Sequence, residues 1–172
     1  MTTIEAEIVS RDARLRLRRA ETADAPFLRD LFKSVKGAQL AAAGLPPAML
    51  DLVLAQQFRA QVAGHATQCP AAHSLIILRD AAPVGRLLLD RAAQRWHVVD
   101  LALLPGARNA GVGREIMQAV ATAAREQGAE VLSLAVATTN DDAIRFYVRL
   151  GFRDVAHGAT ASHRMMELPL AG

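Results

Sequence analysis

The chain has 172 residues, 52% of them hydrophobic and 22% charged. That is enough apolar material to bury a core without disulfides or metals and excludes intrinsic disorder. Cys69 is the lone cysteine and net charge is only +3 at an isoelectric point near 9.7, so a disulfide framework, a thiolate metal centre and a polybasic nucleic-acid arm are all disfavoured.

The N-terminus lacks the basic-then-apolar layout of a signal peptide, and no apolar run approaches the roughly 18–20 residues of a membrane span. The expectation is a cytoplasmic protein, free of the membrane, with one domain over residues 1–172 and residues 1–12 as a flexible or extra segment. Arginines concentrate only between Arg11 and Arg19, where Arg14, Arg16 and Arg18 alternate with Leu15 and Leu17. That period describes a half-buried strand with one solvated face.

Asp24 can cap a helix that opens at Pro26, carries Phe27, Leu28, Leu31, Phe32 and Val35 at helical spacing, and ends at Gly37. A second helix starts at Pro46 and Pro47 and runs to about Val62 on the stripe Met49, Leu50, Val53, Leu54 and Phe58, with Gln57 and Gln61 sharing a face. Residues from Gly64 to Ala72 have no period and read as a loop. Three strands, Ser74 to Arg79, Val84 to Leu89 and Trp96 to Leu103, are joined by short connections into an antiparallel meander.

Val112, Ile116, Met117, Val120 and Ala124 then give an amphipathic helix closed by Gly128. Val131 to Val136 is a short strand, apolar enough to be buried on both faces. Asn140 caps a helix through Leu150, Gly151 closes it, and Phe152 to Val155 with His163 to Leu168 form a last hairpin. The class is α+β, of the α/β sandwich type: a mixed sheet of six to seven strands flanked by about four helices. The strand–helix–strand unit at 98–136 is a crossover of right-handed sense.

Two segments carry chemistry. Arg108, Asn109, Ala110, Gly111, Val112 and Gly113 read R-x-x-G-x-G between a strand and a helix N-terminus, an order that aims backbone N–H groups and the helix dipole at a phosphate. Asn140 to Phe152 reads N-D-D-A-I-R-F-Y-V-R-L-G-F, with Ala143, Phe146, Tyr147 and Leu150 on one face of its helix. Tyr147 is the only tyrosine, and a phenol on an apolar stripe needs a partner for its hydroxyl.

Together the two segments resemble the GNAT superfamily of acyl-CoA-dependent N-acetyltransferases, whose pyrophosphate turn is Q/R-x-x-G-x-G/A and whose later helix often reads N-x-x-A-x-x-F-Y-x-x-x-G-F. Every fixed position of both patterns is filled. The resemblance implies the GNAT fold, with the strand ending at Leu103 splayed from that at Val131 to Val136 and acetyl-CoA in the wedge as acyl-donor cosubstrate. Leu101, Ala102 and Leu103 would pair with the pantetheine arm. Arg108, Asn109, Ala110, Gly111, Val112, Gly113 and Arg114 would hold the pyrophosphate, and Asn140, Phe146 and Tyr147 would complete the cofactor site. The resemblance also implies an amine or peptide acceptor attacked directly in a ternary complex, an optional homodimer, and Tyr147 as general acid. The alternative is a non-catalytic acyl-CoA-binding sensory module.

Acetyl transfer makes demands on the remaining residues. An amine of lysine type is neutral in roughly one molecule in 2,500 at pH 7, a deficit of about 4.6 kcal/mol, so a base or water path must take its proton. Strict alternation back from Leu103 puts Leu101, Val99 and His97 on one face and Asp100 on the other, unless a bulge resets the parity. His97 is the first candidate base and Asp100 the second. Gln57, Phe58 and Gln61 are candidates for the acceptor wall. His65, His73, His157 and His163 lack metal-ligand spacing, so no metal is expected.

Overall fold

The computed structural model describes residues 8–170. Of the expected extra segment at 1–12, residues 1–7 lie outside the described residues; Ile8 is buried, and the chain then bends into the first strand. In chain order the elements are β1 (Leu15–Arg19), α1 (Ala25–Ala41), α2 (Pro47–Gln68), β2 (His73–Arg79), β3 (Ala82–Arg91), β4 (Arg95–Leu103), α3 (Val112–Glu126), β5 (Val131–Ala137), α4 (Asp141–Arg149), β6 (Arg153–Val155) and β7 (His163–Pro169). The seven strands form one sheet in the order β1-β2-β3-β4-β5-β7-β6. Every neighbouring pair is antiparallel except β4 and β5, which α3 joins as a parallel crossover.

Each face of the sheet is covered. Leu75, Ile77, Leu87, Leu89, Trp96, Val98, Leu132, Leu134 and Met166 bury one face in the main core with Ile116, Val120 and Ala124 of α3, Ile144 of α4 and Phe152. The opposite face carries Ile76, Arg86 and Ser133, and α1 packs over β3 and β4 there with Leu31 and Phe32 buried. Helix α2 leans on α1, where Phe58 meets Phe32 at 5.4 Å between ring centroids, and buries only Leu54 among its side chains.

Three boundaries differ from the sequence reading, each for a physical reason. Gly37 does not end α1; the helix passes through it to Ala41, because good helix formers follow and a lone interior glycine costs about 1 kcal/mol, less than the packing on α2 returns. The left-handed glycine after the helix is Gly44, at φ 72°. Helix α2 continues beyond Val62 to Gln68, so the loop expected from Gly64 is mostly helix; Ala63, Ala66 and Gln68 favour it, and the first breaker is Pro70. Asp24 occupies the α1 N-cap position, yet its carboxylate accepts from Arg18 at 2.7 Å and from the Glu21 N–H at 2.8 Å, organising the preceding 3₁₀ turn instead of capping the helix.

Two expected closures hold. Gly128, at φ 78°, terminates α3 as its N–H bonds Arg125 O and that of Ala129 bonds Ala124 O. Asn140 Oδ1 accepts from the Ala143 N–H at 3.2 Å and caps α4.

Candidate active site

The β4–β5 ladder is the feature that opens a site. Pairing runs from Arg95 opposite Val131 only to Val98 opposite Leu134, while β4 continues to Leu103 and β5 to Ala137. Beyond Val98 the two strands part. Successive amides of a strand point to opposite sides, and the Leu104 N–H bonds Val84 O of β3 at 2.8 Å. Leu103 and Leu101 therefore turn their N–H and C=O groups into the gap, and Ala102 turns its own toward β3. Arg108 Nε donates to Leu103 O at 3.0 Å, tying the glycine-rich turn to the rim of this gap.

Within that turn the residues divide their work. Asn109 at φ 57° and Gly111 at φ 81° are left-handed, and Gly111 serves as N-cap of α3. Arg108, Asn109, Ala110 and Gly111 are exposed at the helix N-terminus, and a Cβ on Gly111 would meet nothing within 4 Å. Gly113 is a packing glycine: a Cβ there would stand 3.3 Å from Phe146 Cζ and 3.6 Å from Leu103 Cδ1. Phe146 thus clamps the start of α3 to the end of β4. Val112 is buried beneath the turn. Arg114 is exposed on the groove between α3 and the end of α4.

On α4, Tyr147 packs edge-on between Phe146 at 5.1 Å and Phe152 at 5.6 Å. Burial, with a smaller push from the Asp100 charge, raises its phenol to about 12, so it stays protonated at any working pH. Asn140 uses Oδ1 for the cap, which leaves its Nδ2 to donate elsewhere.

A bulge decides what faces the acceptor side. Leu88 pairs with Asp100 and Leu89 with Val98, so Val99 is the extra residue. The parity expected from unbroken alternation is reset: His97, Asp100 and Ala102 share the face of Arg86, beneath α1 and α2, while Leu101 and Leu103 share the core face with Val98. Arg86 is the residue that sequence reasoning missed on this face; the signal available was an arginine within the apolar run of β3. It is buried and its Nη2 donates to Asp100 Oδ2 at 2.5 Å.

His97 and Asp100 stand at different levels. His97 belongs to the paired part of β4, opposite Ser133. Ser133 Oγ donates to Trp96 O at 3.2 Å, so the 2.9 Å contact with His97 has Nδ1–H as donor and leaves Nε2 with the lone pair. Burial lowers its pKa, opposed by the Asp90 charge and assisted by Arg95. Asp100 lies past the last pairing, on the open side.

Helix α2 contributes Leu54, Phe58, Gln61 and His65 as its inward stripe, and Gln57 is exposed. Sequence reasoning missed His65, because it lies beyond the helix end read at Val62. Its Nδ1 is enclosed without a hydrogen-bond partner among the described residues. Burial lowers its pKa, against a raising influence from Asp100 and with a lowering one from Arg86. No group of His, Cys, Asp and Glu suited to a metal ion occurs among the described residues.

Residues 46–152, more than half of the chain, match the acetyltransferase (GNAT) family. The chain belongs to the GNAT acetyltransferase family. This GNAT protein is 44% identical to the streptothricin acetyltransferase of Streptomyces lavendulae over 59 residues, which are 34% of this chain and 31% of that protein. It is 37% identical to an N-alpha-acetyltransferase of Sulfurisphaera tokodaii over 68 residues, 39% of this chain and 41% of that one. The chain thus spans less than half the length of these curated relatives. Among solved structures, the PaiA N-acetyltransferase of Thermoplasma acidophilum in complex with coenzyme A shares the fold, with TM-score 0.68 at 16% identity over 90% of this chain and 98% of that chain. The parted strands with their exposed left-handed turn fit an acyl-CoA. Among its described residues no helix is long and apolar enough to cross a membrane.

Proposed function

We propose that this GNAT protein moves an acetyl group from acetyl-CoA to a primary amine by direct attack in a ternary complex. The observation that carries the reading is the ladder broken at Val98, which leaves Leu101 and Leu103 backbone groups facing a gap, with Asp100 on the same stretch of β4 and Tyr147 packed on Phe146 beside Gly113 and Leu103. Bound there, acetyl-CoA supplies a thioester whose carbonyl is open to attack. Leu101 and Leu103 pair with the pantetheine arm, the amides from Asn109 to Gly113 hold the pyrophosphate with Arg108 and Arg114 beside them, and Asn140 Nδ2 reaches the same arm. The Leu103 N–H donates to the developing oxyanion.

Tyr147 supplies the proton for the departing sulfur. A phenol near 12 is too weak to become phenolate at the expense of a thiolate whose conjugate acid lies near 8.5, an uphill step of about 4–5 kcal/mol. It acts instead as a conduit, taking the amine's second proton as it gives its own. The acceptor lies over the Arg86–Asp100 pair, walled by Gln61 and Phe58 of α2, with Gln57 at the mouth. Asp100 orients the incoming ammonium, and His97, within the paired part of β4, is the candidate base for its first proton. The relatives' names point to two acceptor types, streptothricin and an α-amine.

Thiol release from acetyl-CoA with streptothricin, an alanyl peptide and spermidine tests this directly. The expected result is amine-dependent turnover with at least one. Tight CoA binding without turnover of any would support the sensory module instead.

A further inference from the structure

Arg86 sits just before Leu87, Leu88 and Leu89 in β3, and its side chain is only 9% exposed. A charge so placed has to be paired. The register of β3 with β4 sets Ala102 opposite Arg86 and Asp100 opposite Leu88, which makes Arg86 and Asp100 diagonal neighbours on one face of the sheet. Arg86 Nη2 donates to Asp100 Oδ2 at 2.5 Å. Stability does not account for the pair, because apolar residues of similar volume in place of a buried ion pair are often neutral or stabilising. Its other end is open. The Asp100 side chain is 28% exposed, and its Oδ1 has no partner among the described residues without being enclosed. Past Val98, moreover, β4 has no β5 partner. One carboxylate oxygen is thus held from β3 while the other is presented beside the gap.

Resting on the acetyl-transfer reading, we propose that Arg86 is a positioning residue for the acceptor: it holds Asp100 by Oδ2 so that Oδ1 meets the acceptor's ammonium at one fixed place. An aspartate left to itself exchanges among staggered rotamers, and an amine anchored to it would approach the thioester from several directions. Tied to a strand, it offers one direction. Arginine suits the task, since its planar fork is pre-organised and gives up little freedom on pairing. The short reach from β3 matters too: a diagonal neighbour in the same sheet moves with β4, whereas a partner on α1 or α2 would shift whenever those helices adjusted to an acceptor. Arg86 itself need not touch the amine. Its contribution passes through Asp100 alone, and that is what separates it from a residue that merely supports the fold.

The test is a double-mutant cycle on wild type, Arg86→Met, Asp100→Asn and the variant carrying both, with a thermal melt of each. The acceptor is whichever of streptothricin, an alanyl peptide and spermidine wild type acetylates fastest. Arg86→Met should raise the acceptor KM about tenfold or more and leave KM for acetyl-CoA within about twofold. The double variant should match Asp100→Asn, because Arg86 then has nothing left to hold. An Arg86→Met enzyme with wild-type acceptor KM, an equal rise in both KM values, or a double variant whose effect is the product of the singles overturns the proposal. If wild type acetylates none of the three, the acetyl-transfer reading fails on its own account. NMR of the CoA-loaded wild-type protein then decides with spermidine as probe, and it decides with the chosen acceptor if Arg86→Met fails to fold. The amine must move the Asp100 carboxyl ¹³C resonance while the two Arg86 Nη signals stay resolved; an unmoved carboxyl, or Nη signals that merge as the pair is released, overturns the assignment.

Discussion

Gly85 and Gly37 allow one chemical change, a single added methyl group, to be read with opposite signs. Gly85 lies in β3 opposite Leu103. A Cβ there would stand 2.5 Å from the Ala102 carbonyl oxygen and 2.6 Å from Leu103 Cδ2. Ordinary van der Waals separation is roughly 3.5 Å, so the β4 backbone would have to retreat by about 1 Å. Overpacking that displaces backbone falls at the upper end of the usual range, about 3 kcal/mol, which for a chain of this size lowers Tm by about 6–12 °C. Because the displaced atoms belong to the rim from Leu101 to Leu103, Gly85→Ala should also raise KM for acetyl-CoA several-fold. Gly37 has nothing within 4 Å of its would-be Cβ and sits inside α1. Gly37→Ala should therefore raise Tm by about 2–4 °C through helix propensity of about 1 kcal/mol, with KM unchanged. Thermal unfolding by circular dichroism and steady-state kinetics on both variants suffice. A Gly85→Ala protein with wild-type Tm and KM would refute the placement of β3 against the wedge.

Tyr147→Phe should lower kcat by about 10²–10³ with KM for acetyl-CoA within about twofold, and wild type should show no tyrosine limb up to pH 10, since the phenol lies near 12; unchanged kcat when chemistry limits turnover removes Tyr147 as the acid. Asp24, held at about 2 by Arg18 and the Glu21 amide, has a folded pKa below its unfolded 3.8, so its stabilisation is complete above pH 4 and disappears as pH falls toward 2. The Tm gap between wild type and Asp24→Asn should accordingly be full at pH 7 and close across that window; a gap independent of pH contradicts the pairing. Asn140→Ala should destabilise by about 1 kcal/mol through loss of the α4 cap, whereas Asn140→Asp keeps the acceptor oxygen and its melt. Both should raise KM for acetyl-CoA about tenfold if Nδ2 donates to the donor arm, so a normal KM in Asn140→Asp assigns the residue to capping alone.

Most of the fold was legible because the pattern was strong: the period-two run of β1, short apolar runs with short connections for β2 to β4, the even apolar stripe of α3, and glycines at 128 and 151 where helices stop. The misplacements share a cause. Gly37 and Gly64 look like punctuation, yet each is followed by helix formers, and only packing on a second helix shows that the helix continues. Ending α2 at Val62 hid His65, which extends the inward stripe of Leu54, Phe58 and Gln61 by one more turn. The bulge at Val99 left no local mark, since Val98, Val99 and Asp100 are compatible with unbroken alternation; register is a property of two strands and was invisible in one. Arg86 was in plain view, but its partner became evident only when the pairing of β3 with β4 set Ala102 opposite it and Asp100 on the same face.

The short ladder between β4 and β5 has a thermodynamic consequence. Past Val98 and Leu134 the sheet carries two facing open edges in its interior, the kind of unsatisfied backbone that a protein ordinarily covers or blunts. A donor laid along Leu101 and Leu103, as proposed, would behave there as a missing half-strand, and its binding free energy would become folding free energy through mass action. Loading with CoA should accordingly raise Tm with concentration, so that the acyl donor would act as a folding ligand as well as a cosubstrate.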